Sequence, residues 1–158
     1  MKVMQLPPQL RQRVMSLRSK TRSLRSWYKL LGDDLSNLVF FFEDEGFEET
    51  DRPGFRRRVM DGEQTQLCFW RISGGAEGSY MHKHDEHEQL GIIFRGALDF
   101  RIGAEDTQER TYLNKGDVYI APKGVWHGDS VFVGDDDLDE CWILDIFTPP
   151  RDDLRNKA

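Results

Sequence analysis

Apolar residues follow two different periods along the chain, and the change from one to the other falls near residue 37. In the first segment they recur at alternating spacings of four and three, which places them on one stripe of a helix. Pro7 and Pro8 suit the start of this helix and Gly32 suits its end. We therefore predict an amphipathic helix over residues 7–32. Its stripe contains Leu10, Val14, Leu17, Thr21, Leu24, Tyr28 and Leu31.

From residue 37 onward the chain consists of short runs rich in β-branched and aromatic residues, each bounded by Gly, Pro or acidic clusters. No second helical period interrupts these runs. Their rhythm predicts an all-β fold, with a jelly-roll barrel as its natural architecture. We therefore expect an N-terminal helical extension at residues 1–36 and a β domain at residues 37–158. The predicted strands span residues 37–43, 54–61, 65–73, 80–84, 89–95, 97–103, 110–113, 117–122, 126–134 and 141–147.

The net charge of -6 conceals an uneven distribution of charged residues. Residues 1–32 contain eight Lys and Arg and no acidic residue, whereas all 28 Asp and Glu lie in the remainder. An acidic body of this kind argues against nucleic acid as a partner. We expect the basic helix to pack on its own acidic domain or on a partner subunit. Its composition is also compatible with a nucleic-acid or membrane-surface helix and with a transit peptide.

Apolar runs and cysteines indicate the compartment. The longest uninterrupted apolar run, LVFFF at residues 38–42, is far too short to span a bilayer. Cys68 and Cys141 lie far apart, each in an apolar strand-like context, which is typical of buried thiols in a reducing compartment. The sequence therefore predicts a cytoplasmic protein without a membrane partner. The acidic run at residues 43–51 is predicted to be a solvated loop.

Histidines are concentrated in one short stretch, since three of the four lie in HKHDEHEQ at residues 82–89. His82 and His84 alternate on a predicted strand and would point to the same face. The fourth, His127, follows a turn marked by Pro122 and Gly124. Three imidazoles that converge on a barrel interior would each need a buried partner, unless they share a metal ion. The pattern thus indicates a metal site.

Two stretches carry a family resemblance. GSYMHKHDEHEQLGIIFRG at residues 78–96 and GDVYIAPKGVWH at residues 116–127 resemble the two motifs of the cupin superfamily. The resemblance implies a double-stranded β-helix barrel that binds one divalent metal. The family's spacing, counted back from Gly96, places the fourth ligand at Gln89, whereas strand parity alone leaves Glu88 open. The implied ligands are His82, His84, Gln89 and His127. Such donors suit Zn, Ni, Fe(II), Mn or Cu.

The ending LDIFTPPRDD at residues 144–153 resembles the cupins of pectin and alginate breakdown that linearise unsaturated uronates. In that family an aspartate, a phenylalanine and an arginine complete the site, and they correspond here to Asp145, Phe147 and Arg151. The resemblance implies that Asp145 moves protons, Phe147 packs on the sugar and Arg151 binds the carboxylate. The implied substrate is a small anionic sugar or a carbohydrate-derived acid. The N-terminal extension departs from those minimal barrels.

Other functions stay open at this level. A histidine-rich site with an open position also suits a non-haem Fe(II) dioxygenase. A non-enzymatic cupin that binds a small molecule, or one whose metal only braces the barrel, fits the same motifs. If Gln89 points inward, Leu90, Ile92 and Phe94 form an apolar outer row. Because monomers rarely leave such a row uncovered, we expect a homodimer or coverage by the basic helix.

Overall fold

The computed structural model describes residues 46–155, which form nine β-strands and one short 3-10 helix. The predicted helix over residues 7–32 and the predicted strand at residues 37–43 lie outside the described residues. The strands are β1 (Glu48–Glu49), β2 (Phe55–Asp61), β3 (Gln66–Ser73), β4 (Glu88–Arg95), β5 (Ala97–Gly103), β6 (Thr111–Asn114), β7 (Val118–Ala121), β8 (Trp126–Val133) and β9 (Glu140–Thr148), and the 3-10 helix is Asp152–Leu154.

The strands form two antiparallel sheets. A six-stranded sheet has the order β1-β2-β3-β9-β4-β7, and a three-stranded sheet has the order β6-β5-β8. Both sheets contribute to one buried apolar cluster, so they enclose a common interior. This all-β jelly roll confirms the predicted fold class. The members of the cluster are Phe55, Ile72, Ile93, Leu98, Phe100, Phe132, Cys141 and Ile143.

A second, smaller cluster joins the larger sheet to the 3-10 helix and consists of Val59, Cys68, Phe147 and Leu154. Both cysteines are free and buried, as the sequence predicts. Strand pairing sets Asp145 of β9 opposite Cys68 of β3, and the other neighbour of Asp145 is Gly91 of β4. Because directly paired residues share a face, a carboxylate stands on the inner face of the sheet among apolar side chains.

Two predicted elements are wrong in detail. Residues 80–84 do not form a strand and have only an isolated bridge between His82 and His127, whose backbone N–H groups each donate to the other's carbonyl at 2.8 Å. Glycines without a Cβ let this segment lie directly against β8, since a Cβ on Gly128 would be 2.3 Å from the Tyr80 carbonyl. In the acidic run at 43–51, Glu48–Glu49 pairs with β2 and is not a loop.

Candidate metal centre and adjoining cavity

Three histidines converge at one end of the barrel interior. The ligand nitrogens of His82, His84 and His127 all lie within 4.8 Å of one another. His127 is the second residue of β8, and the backbone bridge places His82 beside it. The ring centroids of His82 and His127 are 4.4 Å apart, and His84 is 5.1 Å from the first and 5.2 Å from the second.

Backbone carbonyls fix the orientation of two of these rings. His82 Nδ1 lies 2.9 Å from the Tyr80 carbonyl and His127 Nδ1 lies 3.0 Å from the Val125 carbonyl. A carbonyl only accepts hydrogen bonds, so each Nδ1 carries the hydrogen and each Nε2 keeps its lone pair. Metal-binding histidines typically have this arrangement.

Burial keeps two of the imidazoles neutral. It lowers the pKa of His84 to about 4, and the positive charge of Arg151 acts in the same direction. Burial also lowers the pKa of His127 to about 4, against the hydrogen bond to the Val125 carbonyl. A metal ligand must be deprotonated, and both rings meet that requirement at neutral pH.

Gln89 completes the cluster from β4. Its side chain is 5 % exposed, and its Oε1 lies 3.0 Å from His84 Nε2 and 3.1 Å from His127 Nε2. Its Nε2 donates to Tyr119 Oη at 2.7 Å, which assigns the carbonyl end of the amide to the histidines. Glu88, the alternative that strand parity left open, pairs with Thr148 and, among the described residues, has no hydrogen bond or ion pair with the three clustered histidines.

The hydrogen positions give a direct test of whether these side chains fit a metal ion. His127 has its hydrogen on Nδ1, so Nε2 and the Gln89 oxygen face each other at 3.1 Å as two acceptors. Two lone pairs at this distance repel unless a cation lies between them. Three imidazole nitrogens and one amide oxygen are donors that first-row divalent ions accept. The four side chains therefore fit one divalent ion.

Asp145 is buried beside this cluster, and both its oxygens have partners. Oδ2 accepts from Trp70 Nε1 at 2.9 Å and Oδ1 accepts from Tyr119 Oη at 3.1 Å. Burial raises the pKa of Asp145 to about 6, although these hydrogen bonds act to lower it. A carboxyl group with a pKa near the working pH can both accept and release a proton.

Tyr119 connects Asp145 with Gln89, and Gly91 makes the connection sterically feasible. Gly91 lies between Asp145 of β9 and Tyr119 of β7 in the paired strands. A Cβ at Gly91 would be 2.0 Å from the Tyr119 ring, so the ring occupies the space that any other side chain would fill. The hydroxyl can therefore cross β4 and reach the carboxylate.

Phe147 and Arg151 follow Asp145 in the chain and line the same cavity as Asp145 and Tyr119. The Arg151 guanidinium is 4.9 Å above the Phe147 ring. Its Nε and Nη2 donate to the two carboxylate oxygens of Asp153 at 3.1 and 2.7 Å. The backbone of Arg151 is fixed by the buried amide of Gln66, which donates to its carbonyl at 3.1 Å and accepts from its N–H at 3.3 Å.

A cavity of about 300 Å³ joins these groups. Its volume is at the lower end of the range for small-molecule sites. Of the side chains predicted from the sequence, it is lined by His82, Gln89, His127, Asp145, Phe147 and Arg151. The sequence analysis missed Arg57, Trp70 and Tyr119, which line it too. Strand parity could have indicated Arg57, because it lies two residues from each of the buried Phe55 and Val59 and therefore points to the same face.

Comparison with known proteins agrees with this geometry. Residues 68–139, which include all three clustered histidines, match the sequence model of the cupin domain (Cupin_2). Residues 68–139 are therefore similar to a cupin domain. The pectin degradation protein KdgF of Dickeya dadantii (strain 3937) is 29 % identical over 117 residues, which cover 73 % of this chain and 96 % of that protein.

Solved cupin structures give the same picture. The structure of KdgF from Halomonas sp. superposes with a TM-score of 0.62 at 25 % identity, covering 74 % of this chain and 97 % of that one. An RmlC-like cupin from Shewanella frigidimarina NCIMB 400 gives a TM-score of 0.59 at 24 % identity, covering 74 % and 95 %. The predicted resemblance to the cupins of pectin degradation is confirmed. Among residues 46–155, no helix is long and apolar enough to cross a membrane.

Proposed function

We propose that this protein is a metal-dependent enzyme that opens a small unsaturated uronate, or a closely related sugar acid, to its keto form. The observation that carries the proposal is a buried Asp145, hydrogen-bonded by Trp70 and Tyr119, in the same cavity as a cluster that fits a divalent ion. The similarity to proteins named for pectin degradation supports this substrate class.

The metal-binding role falls to four side chains. His82, His84, Gln89 and His127 would hold the ion, with the His82 and His127 rings already oriented by backbone carbonyls. All four ligands are neutral, so a bound divalent ion would keep its full charge and act as a Lewis acid on substrate oxygens. The identity of the ion is set by cellular availability as much as by these donors.

Asp145 is the proton-transfer group of the proposed reaction. Opening the ring removes the proton of the anomeric hydroxyl, breaks the bond between the anomeric carbon and the ring oxygen, and leaves an enolate. Return of one proton to the neighbouring ring carbon gives the ketone, so the reaction is an isomerisation that needs no oxidant. Trp70 and Tyr119 hold the carboxylate in place while it accepts and returns that proton.

Phe147 and Arg151 would bind the substrate beside the metal centre. The buried Phe147 ring offers an apolar surface to a sugar ring. Arg151 adds positive charge near the centre: burial and then this charge lower the pKa of His84, and the same charge acts against the burial that raises the pKa of Asp145. This local charge matters because the chain as a whole, at -6, would not attract an anion.

The test is the metal-dependent loss of ultraviolet absorbance from an unsaturated galacturonate monomer. We expect loss with metal-loaded protein, little loss after chelation, and a keto product by nuclear magnetic resonance. Consumption of oxygen in the same reaction would instead identify a dioxygenase. Stoichiometric binding of the sugar acid without turnover would identify a binding protein.

A further inference from the structure

Strand β2 brings an arginine to the inner face of the barrel. Arg57 lies between Phe55 and Val59, both buried, and successive odd positions of a strand share a face. Arg57 accordingly lines the cavity together with Asp145. Arginine is rarely buried without a charged partner, so an inward arginine on a barrel strand calls for a binding partner of its own.

Arg57 has an aromatic contact but no carboxylate. Its guanidinium carbon is 6.0 Å from the centre of the Trp70 ring, which is its direct strand partner. Within residues 46–155, no Asp or Glu lies at ion-pair distance from Arg57. A cation–π contact at this distance leaves the N–H groups of the guanidinium fork unused.

The other arginine near the metal centre differs in this respect. Arg151 already donates from Nε and Nη2 to Asp153, in the two-point geometry that a substrate carboxylate would need. A carboxylate that approaches Arg151 must therefore displace Asp153 or accept a single N–H. Arg57 can offer a complete fork without losing an existing ion pair.

A second cationic group lies on the same side of the cavity. Arg52 precedes β2, and its guanidinium carbon is 4.1 Å from the centre of the Phe55 ring. Its Nη2 donates to the backbone carbonyl of Glu77 at 2.8 Å, which leaves its charge uncompensated by that contact. Arg52 and Arg57 thus give this side of the cavity two positive charges.

Trp70 relates Arg57 to the proposed chemistry. The indole donates its N–H to Asp145 Oδ2, while its ring faces Arg57. On the metal side, Tyr119 donates to Asp145 and accepts from Gln89. An anionic group held by Arg57 would therefore lie across Trp70 from Asp145, and the rest of a small sugar would extend towards the metal-binding residues.

We propose that Arg57 is the specificity-determining residue of the cavity and binds the carboxylate of a sugar acid through both arms of its guanidinium. This inference rests on the proposed function for its substrate class. It assigns the carboxylate to β2, and it limits Arg151 to a supporting charge held by Asp153. Neutral sugars of the same size would gain nothing from Arg57.

The experiment compares Arg57→Gln, Arg57→Lys and Lys115→Gln in the full-length, metal-loaded protein. Lys115 is exposed in the turn between β6 and β7 and does not line the cavity. Its variant therefore removes one positive charge at a position away from the cavity and serves as the control. Calorimetric titration with saturated galacturonate and with galactose measures binding without turnover. Thermal unfolding checks that each variant is folded.

We expect Arg57→Gln to weaken galacturonate binding about 10- to 100-fold, because a charge-assisted, two-point contact is lost. Arg57→Lys should recover little of it, because lysine lacks the planar fork. Lys115→Gln should bind like the parent, and galactose binding should not respond to Arg57. Equal galacturonate binding by Arg57→Gln and parent, or an equal loss in Lys115→Gln, would overturn the assignment.

Turnover separates this inference from the proposed function. If the parent converts unsaturated galacturonate, Arg57→Gln should raise KM and leave kcat nearly unchanged, whereas an unchanged KM would count against Arg57. If the parent is inert, the proposed reaction fails, and the galacturonate titration still decides the role of Arg57.

Discussion

The hydroxyl of Tyr119 is the most informative single group to remove. It accepts from Gln89 Nε2 at 2.7 Å and donates to Asp145 Oδ1 at 3.1 Å, so it touches both the proposed metal ligand and the proposed proton-transfer group. Tyr119→Phe keeps the ring that fills the space over Gly91 and deletes only the hydroxyl. The Gln89 amide then loses the contact that directs its oxygen towards the histidines.

The size of the effect follows from the lost contacts. A buried donor left without its partner costs about 1–3 kcal/mol. Loss of a group that orients a metal ligand typically lowers metal affinity about 10- to 100-fold, which corresponds to about 1.4–2.7 kcal/mol. The two ranges agree, so we expect Tyr119→Phe to bind Zn²⁺ and Ni²⁺ about 10- to 100-fold more weakly than the parent.

Competition with a chromogenic chelator measures this affinity, and Trp70→Phe is the matched control. Trp70 donates to the other oxygen of Asp145 and has no hydrogen bond to Gln89. Its variant should therefore keep the parent's metal affinity while losing turnover. If Tyr119→Phe bound metal as tightly as the parent, or if Trp70→Phe lost affinity to the same extent, the proposed link from Asp145 to Gln89 would be refuted.

Three further predictions concern the metal, the acid stability and the assembly. His82→Ala should lose the stoichiometric ion in elemental analysis, since it removes one of three clustered nitrogens. Burial acts to raise the pKa of Glu140, but hydrogen bonds from Trp142 and Arg71 outweigh it, and the pKa lies below its ordinary value. The ionised Glu140 therefore stabilises the fold above the ordinary Glu pKa of about 4.3, and this stabilisation is lost as the pH falls through the lowered pKa. The thermal unfolding temperature of the parent should therefore fall in that acid range. Glu140→Gln should unfold at a lower temperature than the parent at neutral pH, and its unfolding temperature should change less with acid. Val118 and Ile120 on edge strand β7 are 51 % and 53 % exposed, so we expect a homodimer that Ile120→Lys shifts to monomer in light scattering, whereas a monomeric parent would contradict this.

Strand alternation made much of the inner face predictable from the sequence. Asp145 and Phe147 share parity in β9, and both are buried on the cavity side. The cupin motif's spacing, counted back from Gly96, placed the fourth ligand at Gln89, and Gln89 is the residue beside the histidines. The shared parity of Asp145 and Phe147 is contained in the single sequence, whereas the choice of Gln89 over Glu88 came from the family resemblance.

Contacts that depend on long-range register were not predictable in the same way. The Trp70–Asp145 hydrogen bond requires β3 and β9 to pair with one particular register across about half the chain. The position of Tyr119 depends on Gly91, and a glycine inside a strand pattern indicates close approach without naming the neighbour. The segment at residues 80–84 is not a strand because it packs against β8, and its histidines converge through that packing.

The most direct test of the central claim compares Asp145→Asn with the parent on unsaturated galacturonate, after both proteins are loaded with the same ion and their metal content is measured. Removal of a proton-transfer group typically costs about 10²- to 10⁴-fold in rate. The account predicts full metal occupancy, normal folding and a loss of turnover of this size in Asp145→Asn. Equal turnover by the two proteins, or no loss of absorbance with the metal-loaded parent, would contradict it.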